Sequence, residues 1–229
     1  AKMMQRAKSQ ENRMKNAVNE KSGLLHNIEQ SEALKISHLK YPQKILVRAD
    51  KLSAFYDGIE VFSDVSFQIN QGDRIAVTGR NGCGKSTLLK LICGEDIENT
   101  GILKIGSGLK ISYASQDTSN LNGNLSDYAE KCNVDESLFK AILRKLDFSR
   151  ELFQRPIESY SQGQKKKVAL ARSLSEKANL YIWDEPLNYI DVLSRIQIEE
   201  LLKSSEASIL FVEHDKRFCE QTATKYILL

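Results

Sequence analysis

The chain has 229 residues, 41% hydrophobic and 28% charged, with 12 glycines and 3 prolines. That apolar share supports a packed core and excludes wholesale disorder, and at roughly 100–200 residues per domain the length suits one large domain, with or without an appendage. No apolar run approaches the ~20 residues that cross a bilayer, and no signal-peptide pattern opens the chain, so neither direct membrane insertion nor secretion is expected. The four cysteines, at positions 83, 93, 132 and 219, form no CxxC pair and fit neither a disulfide framework nor a zinc site. Reduced thiols in a cytoplasm are the plain expectation.

The net charge of +3 is unevenly spread. Residues 1–40 hold eight Lys/Arg against four Asp/Glu, a balance of +4, which leaves −1 for the remaining 189 residues. A basic segment beside a near-neutral domain fits an anionic partner such as nucleic acid, and equally a solvated helix face. From Lys2 to about Leu34 there is no proline and a single glycine, Gly23. Met3, Ala7, Gln10, Met14, Ala17, Lys21, Leu24 and Ile28 recur at a 4-3-4-3-4-3-4 spacing, which lines one face of a helix as a heptad seam does. Gln10 and Lys21 dilute that seam. It reads as half of a helical hairpin or arm whose partner lies upstream, and alone it would be poorly stable. The chain opens Ala1-Lys2 inside this pattern without an initiator methionine, so we expect a piece of a longer protein. Pro42 closes the region.

From Lys44 the texture changes. Short β-branched runs at 45–49, 65–69, 74–78, 180–183 and 208–212 alternate with helical stretches at 85–93, 136–146, 162–175 and 192–203. This alternation predicts an α/β domain with a mainly parallel sheet. The earliest strands, from 44 to 69, run close together and predict an antiparallel layer. No internal repeat or low-complexity tract is evident.

Residues 79–87 read GRNGCGKST, and Gly79, Gly84, Lys85 and Ser86 fill the pattern GxxxxGK[ST] between a strand (RIAVT) and a helix (LLKLI). Glycines let backbone N–H groups turn inward around phosphates, and the following helix adds its positive N-terminal end. Within this loop Gly79, Asn81, Gly82, Gly84, Lys85, Ser86 and Thr87 are candidate phosphate-binding residues. Lys85 would reach the β- and γ-phosphates, and the Ser86 hydroxyl would coordinate Mg²⁺. The pattern reads as a nucleoside triphosphate site. Cys83, inside it, reads as a small filler.

A second element is LYIWDEP at 180–186. A buried apolar strand ends in two carboxylates, of which Asp184 is placed to hold Mg²⁺ and Glu185 to orient and deprotonate a water.

The remaining pieces point one way. YSQGQ at 160–164 followed by KKKVALARSL resembles the signature of ATP-binding cassette (ABC) proteins, and the resemblance covers 44–229. It implies an ABC-type P-loop fold, mainly parallel with an antiparallel β layer and a helical subdomain at about 117–175. It further implies that Tyr56 stacks on adenine, that Gln116 in SYASQD reaches the metal and the attacking water, and that Asp191 in LNYID is the D-loop aspartate. His214 in FVEHD resembles the switch histidine that touches the γ-phosphate. Ser161, Gly163 and Gln164 keep the common LSGGQ form, whereas Tyr160 replaces Leu and Gln162 replaces the first Gly. Ser161 can cap the following helix and point its hydroxyl at a γ-phosphate. The Lys165–Lys167 run reads as a solvated helix face, with RNA contact as the other reading. Because the signature completes the site of the opposite cassette in this family, the resemblance implies two half-sites here and a second cassette as partner.

A basic helical arm leading straight into a cassette, with KMMQRAKSQENR near its start, resembles the second arm of the interdomain linker of ABC-F proteins, twin-cassette ATPases that bind the ribosome. WDEPLNYID and YSQGQKKKV look most like the C-terminal cassette of the ABC-F branch that protects bacterial ribosomes from lincosamide, streptogramin A and pleuromutilin-type antibiotics. The resemblance thus implies a linker arm at 1–40 that meets the ribosome and its rRNA, an ATP-binding domain at 41–229, and MgATP as substrate and cofactor. Two other cassette classes stay open. A transporter ATPase would make the arm incidental, while a DNA-repair or chromosome-maintenance ATPase normally inserts a long coiled coil where only 96 residues separate Thr87 from Asp184.

Overall fold

The computed structural model describes residues 34–229. The greater part of the expected helical arm, through Ala33, lies outside these residues. Residues 34–40, read as the end of that arm, are not helical. They run as a strap along the domain, with Leu34 buried, Leu39 N–H donating to the Ala178 carbonyl at 2.7 Å and Asn179 Nδ2 donating to the Leu39 carbonyl at 3.1 Å.

Two long strands follow, β1 (Ile45–Tyr56) and β2 (Ile59–Asn70), paired as an antiparallel hairpin. Both outrun the short apolar runs at 45–49 and 65–69. The physical reason is a set of bulges: Lys51 and Asp64 take left-handed φ values of 46° and 54°, and the register slips between Ala49 and Leu52. Each slip breaks the period-two alternation by which a strand is recognised. The tip is a two-residue Asp57-Gly58 turn with φ of 50° and 75°, the geometry that matches strand twist in a tight hairpin.

β3 (Arg74–Thr78) leads through residues 79–84 into α1 (Lys85–Ile92), followed by β4 (Asn99–Ile105) and β5 (Ile111–Ala114). A helical region comes next, comprising α2 (Leu125–Lys131), α3 (Glu136–Lys145), 3₁₀ turns at Arg150–Gln154 and Ile157–Ser159, and α4 (Gln162–Ser175). The chain then runs through β6 (Leu180–Asp184), α5 (Val192–Ser204), β7 (Ser208–Val212), α6 (Lys216–Thr222) and β8 (Lys225–Leu228). The elements expected at 85–93, 136–146, 162–175 and 192–203 are α1, α3, α4 and α5.

The strands form two sheets: an antiparallel one in the order β2-β1-β4, and a parallel one in the order β5-β6-β7-β3-β8. Both faces of the parallel sheet are covered, so its central strands are apolar throughout rather than alternating. In β6, Leu180 and Ile182 pack with β1, β2 and α1 residues, whereas Tyr181 and Trp183 join the core built from the helical region, α4 and α5. The fully buried Trp183 finds a partner for its indole N–H in the Ser173 hydroxyl of α4, at 2.9 Å. This is the P-loop ABC ATPase fold, a parallel sheet and an antiparallel sheet around one phosphate loop. Its strand order places the carboxyl ends of β5, β6, β7 and β3 side by side, where open α/β sheets bind ligands.

Candidate functional site

The phosphate loop leaves β3 and enters α1 through Gly84, whose φ of 94° is costly for any side chain. A Cβ there would also stand 2.6 Å from Val61 Cγ1 and 2.8 Å from Phe62 Cδ1 of β2. The hairpin carrying Tyr56 is therefore packed on the loop, and the Tyr56 side chain is exposed at its tip, free to stack on a planar ligand. Asn81 and Gly82 form the exposed crest of the loop; Lys85 and Thr87 are buried beneath it. Lys85 Nζ donates to the carbonyls of Gly79 (3.1 Å) and Arg80 (2.9 Å), which holds the ammonium inside the loop.

Beside the loop, Asp184 ends β6 at 2% exposure. The Ser86 side chain lies beside its carboxylate, whose Oδ1 has no hydrogen-bond partner. Burial raises its pKa, with Glu185 adding to the rise and Ser86, Lys166 and Lys85 opposing it. A buried carboxylate oxygen without a donor is expensive, and a divalent cation held by Ser86 and Asp184 would satisfy it. The residues present thus fit Mg²⁺. Among the described residues no group of three or more His, Cys, Asp or Glu surrounds a common point.

Glu185 gathers the next group. Gln116 Nε2, just past β5, donates to its Oε2 at 2.6 Å, Asn188 Nδ2 donates to the same oxygen, and His214 Nε2, past β7, lies 3.0 Å from Oε1. The Glu185 backbone is left-handed, with φ of 51°, a conformation that costs a non-glycine residue roughly 1–2 kcal/mol. Asn188 was not singled out in the sequence. Only its place three residues after Glu185, in a turn, could have flagged it.

The signature residues lie at the start of α4. Ser161 is its N-cap, and Ser161 and Gln164 bond reciprocally as a capping box, so the cap expected of Ser161 is present. Among the described residues no hydrogen bond joins Ser161 or Gln164 to residues 79–87. Tyr160 is buried where Leu is usual, and its hydroxyl donates to the carbonyl oxygens of Leu152 (2.6 Å) and Arg155 (3.1 Å). Gln162 is exposed and accepts from Thr118 Oγ1 at 3.3 Å. A Cβ on Gly163 would collide with the Tyr189 carbonyl, so of positions 162 and 163 the second is the one that needs glycine.

Of the lysine run expected as a solvated face, only Lys165 is partly exposed. Lys166 and Lys167 are buried, at 4% and 7% exposure. Lys166 Nζ donates to the carbonyls of Ser115 and Asp184, both at 3.2 Å, and Lys167 Nζ lies 2.6 Å from Asp191 Oδ2. Those acceptors lie far along the chain, so neither pattern nor spacing could reveal them. Burial alone would raise the Asp191 pKa, but the hydrogen bonds from Lys167 and Ser194 outweigh it and bring the value to about 2. Asp191 also caps α5, accepting from Ser194 N–H at 2.9 Å. Glu213, in FVEHD, is a further buried charge, at 7% exposure.

A family model described as ABC transporter matches residues 62–188, more than half of the chain. The chain belongs to this family. ABC cassettes are generally ATPases that bind nucleotide with Mg²⁺ and work with a second cassette. ATP-binding protein Uup of Buchnera aphidicola is 33% identical over 207 residues, covering 86% of this chain and 35% of the relative. A solved ATP-binding subunit of an ABC transporter matches with a TM-score of 0.69 at 24% identity, over 80% of this chain and 85% of that one, a likeness of fold alone. The structure of RNase-L Inhibitor matches with a TM-score of 0.68 at 26% identity, over 82% of this chain and 38% of that one. The chain spans about a third of the length of the curated relatives it matches. Among the described residues, no helix is long and apolar enough to cross a membrane.

Proposed function

We propose that this chain is the C-terminal cassette of an ABC-F protein, hydrolysing MgATP in sites completed by a second cassette. The observation that carries the ATPase reading is the Glu185 carboxylate, held by Gln116, Asn188 and His214 at the strand ends beside the Lys85 loop.

In this reading residues 79–87 wrap the phosphates with backbone amides and the Lys85 ammonium, and Tyr56 stacks on the adenine. Ser86, Asp184 and Gln116 would hold Mg²⁺, which when bound would neutralise charge developing on the phosphates. Glu185 takes a proton from the attacking water as its oxygen bonds to the γ-phosphorus and the bond to the ADP oxygen breaks. His214 touches the γ-phosphate and keeps Glu185 in place. Ser161, Gly163, Gln164 and Asp191 serve the site of the opposing cassette, so two cassettes close on ATP and open after hydrolysis.

The wider role rests on the likeness to Uup and on the +4 balance of residues 1–40. We assign 1–33 as a linker arm directed at rRNA and 34–229, strap included, as the cassette, with its helical part at about 117–175, in a cytoplasmic protein. Protection of the ribosome from antibiotics is the finer form of this proposal, supported by the resemblance of WDEPLNYID and YSQGQKKKV to that branch. The test is co-sedimentation of the parent protein, carrying Glu185→Gln and its counterpart in the other cassette, with bacterial ribosomes in MgATP. ATP-dependent pelleting that weakens with salt is expected. Recovery with membranes instead would favour a transporter ATPase.

A further inference from the structure

β7 ends at Val212, and the next side chain, Glu213, turns inward to 7% exposure. Its Oε1 accepts from the Leu187 N–H at 2.8 Å and its Oε2 from the His214 N–H at 3.0 Å. Leu187 stands two residues after Glu185, across Pro186, which has no N–H to offer. One buried carboxylate therefore ties the segment leaving β6 to the segment leaving β7. These are the segments that present Glu185 and His214 to each other.

We infer that Glu213 is a positioning residue of the ATPase centre, bracing the Glu185 segment against the His214 segment. The inference rests on the roles given above to Glu185 and His214. A side chain that merely filled this space would be apolar, because a buried carboxylate is costly unless its oxygens are satisfied. Here backbone amides from two different loops satisfy them, by charge-assisted bonds stronger than neutral ones. The brace also bears on strain: Glu185 holds a left-handed backbone that persists only when its surroundings over-determine it. Leu187 is anchored within two residues of that strained position. A glutamine at 213 would turn an NH₂ donor toward one of the two amides and lose that bond; an aspartate would keep both acceptors on a shorter stem.

The test compares the full chain with its Glu213→Gln and Glu213→Asp variants, each checked for folding by its thermal unfolding midpoint. Two readouts are taken: the ¹⁵N resonance of His214 Nε2, assigned with a His214→Gln variant, and MgATP affinity against turnover. In folded Glu213→Gln the resonance is expected to move toward its position in Glu185→Gln, while turnover falls about tenfold or more and the MgATP Kd stays within about twofold. Glu213→Asp is expected to fall between the two. An unmoved resonance in folded Glu213→Gln overturns the inference, as does a parallel loss of affinity and turnover that tracks the unfolding midpoint. If Glu213→Gln does not fold, the same two readouts on Glu213→Asp decide. Absence of ATP turnover even with a second cassette supplied would overturn the role of Glu185 instead, and the resonance would still judge Glu213.

Discussion

Gln116 and Glu185, 69 residues apart in the chain, meet through a 2.6 Å hydrogen bond from Nε2 to Oε2. Because β5 and β6 are neighbours, this bond ties the segment after one strand to the acid just past the end of the next. Glu185→Gln keeps the shape of the cluster but removes the group that can take a proton. Turnover is expected to fall about 10²- to 10⁴-fold while MgATP still binds, which single-turnover hydrolysis and calorimetric titration together would establish.

Lys85 places the single buried ammonium of the phosphate loop against the Gly79 and Arg80 carbonyls. Lys85→Ala removes that charge from the proposed phosphate site. Calorimetric titration with MgATP is expected to show affinity lost by more than about tenfold with the unfolding midpoint little changed; unchanged affinity would refute the phosphate assignment.

Gly163 admits no Cβ because the Tyr189 carbonyl fills the space. Gly163→Ala forces the start of α4 away from the loop after β6, at an expected cost of about 1–3 kcal/mol in chemical denaturation. Gln162→Gly, one position earlier and exposed, is expected to cost no more than about 1 kcal/mol. Equal costs would show that the contact with Tyr189 does not constrain this helix.

Asp191 titrates at about 2 because Lys167 and the Ser194 amide and hydroxyl hold its charged form against the effect of burial. A folded-state pKa below the unfolded one means that the carboxylate stabilises the fold at neutral pH. That contribution is lost as pH falls from about 4, the ordinary aspartate value, toward about 2. Asp191→Asn is therefore expected to be less stable than wild type at neutral pH, with the gap closing across that window. A gap that stays constant down to the lowest pH would remove Lys167–Asp191 as its source.

The strand–loop–helix placement of residues 79–84 was legible because glycines, lysine and hydroxyl stand at fixed spacing within one short segment. β6 and β7 were legible because strands covered on both faces are apolar without interruption. The full length of β1 and β2 was not, since bulges at Lys51 and Asp64 put successive apolar residues out of phase. The Asp57-Gly58 turn joining them was readable in principle, from its residues alone. β4 escaped because most of its side chains are exposed, which leaves no alternation to read. Lys166, Lys167 and Glu213 form the deeper lesson. Their type argued for solvent, yet each is buried against backbone carbonyls, amides or a carboxylate supplied by distant segments.

The central claim is that the Glu185 centre is half of a composite ATPase site. Turnover per chain in saturating MgATP, measured across a wide range of protein concentration, tests it most directly. Activity is expected to be feeble at low concentration and to rise as chains pair, with none of that rise in Glu185→Gln. Robust turnover independent of concentration would contradict it.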